Sequence, residues 1–166
     1  FLVAPTLFAQ EVPNISSWAP PTHHMNAVVW PTWGKWVEEA TEGRVTTKIE
    51  YKLASPLKQV ELVRDGVADA AWIFHGYNTR YVATQAVEMP NLGTSAEAAS
   101  VAYWRVHQKY LAKADEHRGV TLIGLTSHGP AVIQTKSALK GLGDLSGQKI
   151  RVPGGVGSLV GKALGV

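Results

Sequence analysis

The chain has 166 residues, 45% of them hydrophobic and 17% charged, with a formal net charge of +3 and no cysteine. That composition supports a packed core, and lysines and arginines scattered among acids leave no basic block of the kind that grips nucleic acid. The lack of cysteine removes disulfides, thiol catalysis and thiolate-held zinc, and no stretch approaches the ~20 apolar residues of a membrane-spanning helix.

Phe1 to Gln10 reads as the tail of an apolar export signal with cleavage after Ala9, the competing reading being a buried first strand. Asn14 to Trp18 is a short strand, released into Ala19-Pro20-Pro21-Thr22-His23-His24, where adjacent prolines exclude both helix and ladder pairing. A helix follows to about Glu42, with Val29, Trp33, Trp36, Val37 and Ala40 on one face and Gly43 ending it. Val45 to Tyr51 alternates as a strand should. Ser55-Pro56 has the form of an N-cap and first helical residue, and Gly66 closes that helix. Asp69 to Phe74 is nearly continuous apolar sequence, as expected of a strand buried on both faces, and runs into the loop His75 to Asn78.

Thr94 and Glu97 have capping-box spacing and start the longest helix, to about Glu116, with His107 and His117 read as solvated positions on it. Val120 to Thr126 is a further buried strand, ending at Ser127-His128-Gly129-Pro130. Ala131 to Thr135 is extended, Leu142 to Gly147 a turn, and Gln148 to Val152 a strand that places Arg151 at its carboxyl end. Pro153 to Gly157 is then a glycine turn opening a helix. Alternating strands and helices define an α/β fold with a mostly parallel sheet flanked by helices. In such a sheet the ligand crevice lies outside the carboxyl ends of the strands. The loops after Trp18, Phe74, Thr126 and Val152 are the ones that carry histidine, aromatic residues and glycine.

Several chemistries fail on spacing. A phosphate loop needs glycine before a Lys-Ser or Lys-Thr pair, whereas Gly161-Lys162 precedes Ala163. The dinucleotide fingerprint needs glycine where Val160 stands. No Gly-x-Ser-x-Gly elbow exists for a hydrolase, so no catalytic residue is assigned. Loop histidines 23, 24, 75 and 128 could be read as zinc ligands, but they lack helical pair spacing and neighbouring acids; donors to an anionic ligand fit them better. Arg151 has two readings from spacing alone: a surface cation paired with a residue such as Asp144, or an anion anchor.

Five segments in order resemble the extracytoplasmic solute-binding proteins of tripartite ATP-independent periplasmic (TRAP) transporters, the DctP-like family. They are Trp18-Ala19-Pro20-Pro21-Thr22-His23, Gln59 to Trp72, His75-Gly76-Tyr77, Thr126 to Pro130, and Asp144 to Gly155 with its Lys-Ile-Arg-Val-Pro core. The resemblance runs from about Asn14 to the end. It implies a type II periplasmic-binding-protein-like clamp without cofactor, in which Arg151 pairs with the carboxylate of a small organic acid. Trp18, His23, Asn26, His75, Tyr77, His128, Gly154 and Gly155 are implied to line the same cleft. It further implies a periplasmic location and delivery of the ligand to the membrane subunits of a permease; a sensory module presenting the ligand to a receptor is the alternative. Relatives are longer, so the expected division is a leader at 1–9, lobe I at 10–127, incomplete without a C-terminal return, and the hinge strand with the beginning of lobe II at 128–166. Relatives that grip acidic sugars tend to carry a further arginine on the hinge strand. None occurs in Ala131 to Thr135, which favours a simple monocarboxylate or dicarboxylate.

Overall fold

The computed structural model describes residues 10–90 and 92–166; the expected leader at 1–9 lies outside them. The contacts divide the chain into two compact units, with the boundary between Ile73 and Phe74.

The first unit is built on a three-stranded parallel sheet in the order β2-β1-β3: β1 Asn14–Ser17, β2 Lys48–Tyr51 and β3 Ala70–Ala71. Ile15 stands opposite Ile49 on one side and Ala70 on the other, and a bridge between Glu11 and Val45 extends the first pairing. Parallel neighbours need crossover connections, and here these contain α1 Trp30–Ala40 and α2 Gln59–Arg64. The family of α/β lobes expected from the alternation is the one observed: a parallel sheet flanked by helices. The central strand is sealed, with Ile15, Ser16 and Ser17 all 0% exposed.

Two buried serines on a central strand need partners. Ser16 Oγ donates to Gln59 Oε1 at 2.7 Å, and Gln59 Nε2 donates to the carbonyls of Ala54 at 3.0 Å and Ser55 at 3.3 Å. A single buried amide therefore ties β1, α2 and the loop before α2. Ser55 is extended, as an N-cap should be, but makes no side-chain cap bond; Pro56 opens a short 3₁₀ turn, Pro56–Lys58, ahead of α2.

The expected face of the first helix is out of phase. Trp36 is 63% exposed, and the buried positions are Asn26, Trp30 and Gly34. The cause is the wide turn Met25–Val29, a single π turn that leads into α1 and rotates the face relative to a 3.6-residue count. Pro31 falls in the first turn of α1, where a missing N–H is harmless. Gly34 permits the helix to pass close to the chain entering β2, since a Cβ there would run into Thr47 Oγ1.

β3 is also shorter than the expected Asp69 to Phe74 strand. After Ala71 the Trp72 carbonyl accepts from Trp18 Nε1 at 3.2 Å, so a side chain takes the place of a ladder partner.

In the second unit, α3 Ala96–Val106 is capped by Ser95, whose Oγ accepts from Ala98 N at 3.2 Å. The cap is thus one residue later than the Thr94 the spacing indicated. A wide turn, His107–Leu111, and a 3₁₀ turn, Ala112–Ala114, carry the helix on to Asp115. Helix α4 is Val156–Ala163. The expected strands Val120 to Thr126 and Gln148 to Val152, and the extended Ala131 to Thr135, carry no ladder among the described residues. A strand exists by pairing its backbone groups, and these segments find no partner backbone there. No helix among the described residues is long and apolar enough to cross a membrane.

The Gln59 bridge makes a specific demand. Gln59→Ala leaves the Ser16 hydroxyl and two carbonyls without their partner and opens a void, so unfolding should become easier by about 3 kcal/mol. A urea titration that finds the midpoint unmoved would show that this amide does not join the strand to the helix.

Candidate functional site

In the first unit, the end of β1 is organised by hydrogen bonds that all point one way. Trp72 Nε1 donates to Ser17 Oγ at 3.2 Å, and Ser17 Oγ donates to Asn26 Oδ1 at 2.7 Å. Asn26 Nδ2 then donates to the carbonyls of Ala19 at 3.0 Å and Pro20 at 2.9 Å. Both amide hydrogens of Asn26 are engaged and the residue is 3% exposed, so it braces the proline loop from beneath. On this brace sits an aromatic stack. Trp18 and Trp72 lie with ring centroids 4.4 Å apart and planes 28° apart, and His23 stacks on Trp72 at 5.5 Å. His23 Nδ1 accepts from Met25 N at 3.2 Å, which places the hydrogen of the neutral ring on the exposed Nε2.

In the second unit, the loop at His75–Tyr77 is held from several directions. Gln85 Nε2 donates to the carbonyls of both His75, at 3.0 Å, and Asn78, at 2.9 Å, buckling the loop. The Gly76 amide donates to the Glu88 carboxylate. Burial pushes the Glu88 carboxyl above its usual range, against the opposing pull of that amide and of His128. The segment Gly154–Gly155 crosses the same loop. A Cβ on Gly154 would lie 3.0 Å from the Gly76 carbonyl oxygen and 3.8 Å from Tyr77 Cδ1, and one on Gly155 would lie 2.7 Å from that oxygen. A Cβ on Gly76 would meet Glu88 Oε2 at 2.5 Å. Gly155 is therefore required where two backbones converge, and at Gly154 and Gly76 a side chain would have to displace its neighbours.

Phe74 packs edge-on against Tyr77, with centroids 5.0 Å apart, and stacks with His128 at 6.2 Å. The loop carrying His128 is pinned through α3, where Ser100 Oγ accepts from Ser127 N at 2.8 Å. Arg151, three residues before Gly154, is exposed, and no ion pair or hydrogen bond holds its guanidinium among the described residues. Asp144 makes no ion pair with it among the described residues; that carboxylate accepts from the amides of Lys140 at 2.7 Å and Gly141 at 3.2 Å.

His107 and His117 are not solvated, contrary to the expectation from helical spacing. His107 is buried, and His117 Nε2 lies 3.0 Å from His75 Nε2. The reason is the turn beginning at Asp115, whose left-handed φ of 52° ends the helix and folds the chain back, bringing His117 to the inner face. Glu116, alongside, accepts from Ala83 N at 2.6 Å, Thr84 N at 2.9 Å and the Thr84 hydroxyl. Burial alone would raise its carboxyl, but these donors outweigh it and hold it below the usual carboxylate range. Among the described residues no group of three His, Asp or Glu side chains could hold a metal ion.

Gly154 and Gly155 are thus brought to Tyr77 and its Phe74–His128 neighbours, with Arg151 close in sequence; Trp18, His23 and Asn26 belong to the other unit. Sequence reasoning missed Gln85, Glu88 and Trp72 as supports. No local spacing marks the first two, since each acts on a loop about ten residues upstream.

Residues 15–166 match the family described as bacterial extracellular solute-binding protein, family 7, DctP, and the chain belongs to that family. The chain is 32% identical over 171 aligned residues to a protein named outer membrane transporter protein TsaT, from Comamonas testosteroni, covering 99% of this chain and 51% of the relative. It is similar to a TRAP periplasmic solute-binding protein from Bordetella bronchiseptica solved with bound (R)- and (S)-mandelate: 38% identity, TM-score 0.86, 93% of this chain and 50% of that one. It is also similar to a marine-metagenome TRAP solute-binding protein specific for aromatic acid ligands, solved with 3-hydroxybenzoate: 26% identity, TM-score 0.87, 95% of this chain and 50% of that one. The chain spans about half the length of these relatives.

The glycine crossing can be probed directly. Gly155 has φ 60° and would place a Cβ 2.7 Å from the Gly76 carbonyl oxygen. Gly155→Ala should cost about 2 kcal/mol of stability, from both the disfavoured φ and the clash. Gly141→Ala, whose Cβ would meet nothing within 4 Å, is the matched control and should cost less than half as much. Equal losses in chemical denaturation would remove the close approach as a constraint.

Proposed function

We propose that this protein captures a small aromatic monocarboxylic acid in the periplasm and presents it to the membrane subunits of a TRAP permease. Arg151 supplies the cation. An exposed guanidinium with no internal carboxylate, next to a glycine segment, carries the reading. A planar guanidinium holds a carboxylate through two parallel N–H···O bonds, stronger and more directional than a single neutral bond.

The backbone amides at Gly154–Gly155 open α4, and the dipole of that helix favours negative charge at this end. Tyr77 beside Gly154, supported by Phe74 and His128, offers aromatic surface to the ring of the acid. The aromatic acids bound by the two solved relatives have this combination of carboxylate and ring. On the first unit, Trp18 and His23 are proposed as further ligand-contacting aromatics, their stack on Trp72 being held in place by the Asn26 brace. The hinge segment Ala131 to Thr135 carries no second arginine, which suits one carboxylate better than an acidic sugar.

Calorimetric titration with mandelate and with 3-hydroxybenzoate tests the assignment. Arg151→Lys keeps the charge but loses the two-pronged geometry and should weaken binding at least about tenfold, while Arg151→Ala should weaken it further. Because Arg151 is exposed, neither change should alter the unfolding free energy by more than about 0.5 kcal/mol. Unchanged affinity in Arg151→Lys and Arg151→Ala would overturn the arginine assignment.

A further inference from the structure

Neither ring nitrogen of His75 is available to a ligand without giving up a partner. Tyr103 Oη donates its one hydrogen to the Thr84 carbonyl at 2.8 Å, so toward His75 Nδ1, 3.3 Å away, the phenol oxygen can only accept. Nδ1 therefore bears the hydrogen, and Nε2 of the neutral ring is a lone pair. His117 Nε2, 3.0 Å from that lone pair, must be the donor. The hydrogens run in one direction: His117 to His75, His75 to Tyr103, Tyr103 to Thr84. Glu116, the residue before His117, closes the circuit by binding the amide and hydroxyl of Thr84.

We propose that His75 is a positioning residue, and that the His117–His75–Tyr103 relay fixes Gly76 and Tyr77 against Gly154 and Gly155 only while both imidazoles are uncharged. The proposal rests on the reading of this loop as part of the acid-binding surface.

The surroundings of the pair favour the uncharged form. Tyr81 meets His75 edge-on at 4.7 Å and lies 5.2 Å from His117, with the Arg80 guanidinium over the Tyr81 ring at 5.4 Å. His107, stacked on Trp104, faces His117 at 5.4 Å. The nearby anions are Glu116, with both oxygens already accepting hydrogen bonds, and Glu88, which acts on Tyr103. A first proton would have to reverse the His117-to-His75 bond and leave an imidazolium in this half-buried cluster, and a second would set two N–H groups head to head. Burial, then His117 and His107, push His75 down to about 4, with Glu116 opposing; burial, His107 and Arg80 lower His117 as well.

The sign follows from that depression. An opened loop takes up a proton near the ordinary histidine value, about 6.5, and the closed loop only near 4. Closure is thus fully supported above pH ~6.5 and loses support as pH falls toward 4, by up to tenfold per pH unit for one proton.

Long-range proton–nitrogen NMR on the ligand-free chain reads the relay without any ligand. At pH 7 His75 should be the Nδ1–H tautomer and His117 the Nε2–H tautomer; His75 should stay neutral to about pH 5, and the Gly76 and Tyr77 amides should shift together with it on further acidification. Calorimetry with 3-hydroxybenzoate should then give wild-type affinities within about twofold at pH 7.5 and pH 5, because the intact relay keeps the closed loop dominant despite that loss of support. Tyr103→Phe, which deprives Nδ1–H of its acceptor, should bind about tenfold more weakly at pH 5 than at pH 7.5. If that variant does not fold, His117→Gln, which keeps a donor to His75 Nε2 but removes a neighbouring imidazole, should move the His75 titration upward. An Nε2–H tautomer on His75, its protonation at pH 6, or a wild-type pH profile in Tyr103→Phe would overturn the proposal. Should 3-hydroxybenzoate bind at no pH, the acid-binding reading fails on its own, and the NMR tautomers still decide the relay.

Discussion

The crossing of Gly154–Gly155 over the Gly76 carbonyl is the constraint on which the second unit turns. A Cβ on Gly155 does not fit at 2.7 Å from that oxygen, one on Gly154 is tight at 3.0 Å, and the Glu88 carboxylate lies where a Gly76 side chain would be. Because the crossing fixes Tyr77 beside Gly154, it also sets where α4 begins and where the chain leaves Arg151. The supports around it are of a different kind from a hydrophobic core. Gln85, Glu88, Tyr103 and His117 each act through a directed hydrogen bond to the loop or to the His75 ring on it. Such contacts specify one arrangement sharply, since each leaves a half-buried polar group unpaired if the loop moves.

A second regularity is electrostatic. The carboxylates of Asp144, Glu116 and Glu88 are occupied by backbone amides of neighbouring turns. These three carboxylates are thereby tied to the structure, and no carboxylate among the described residues pairs with the Arg151 guanidinium, which is proposed to meet an external anion. The same economy appears in the first unit, where Ser16, Ser17, Asn26 and Gln59 satisfy one another and the proline loop, leaving the Trp18–Trp72–His23 stack to present apolar surface.

Much of the fold was legible in the sequence because local signals and tertiary packing agree there. The strands expected at Asn14 to Trp18 and, from its alternation, at Val45 to Tyr51 stand at Asn14–Ser17 and Lys48–Tyr51, Pro56 opens a helical segment, and a cap stands within one residue of Thr94. The failures have identifiable causes. A π turn ahead of Trp30 shifts the helix phase and exposes Trp36, and a left-handed Asp115 turns His117 inward; neither leaves a periodic trace. The segments 120–126 and 148–152 have strand composition, but composition does not provide a pairing partner. Of the candidate site, Arg151, Gly154, Gly155 and Tyr77 were legible as residues at loop positions. That His75 and Asn26 have their hydrogen bonds satisfied internally could not be read, because the partners lie on elements whose mutual placement only folding decides.

The central claim is that the protein recognises a carboxylate attached to an aromatic ring. Its most direct test is a calorimetric comparison of 3-hydroxybenzoate with 3-hydroxybenzamide, which has the same shape and ring but no negative charge. The account predicts measurable binding of the acid and at least about a hundredfold weaker binding of the amide, as expected when a charge-assisted, two-pronged pair is lost. Equal affinity for acid and amide would contradict it.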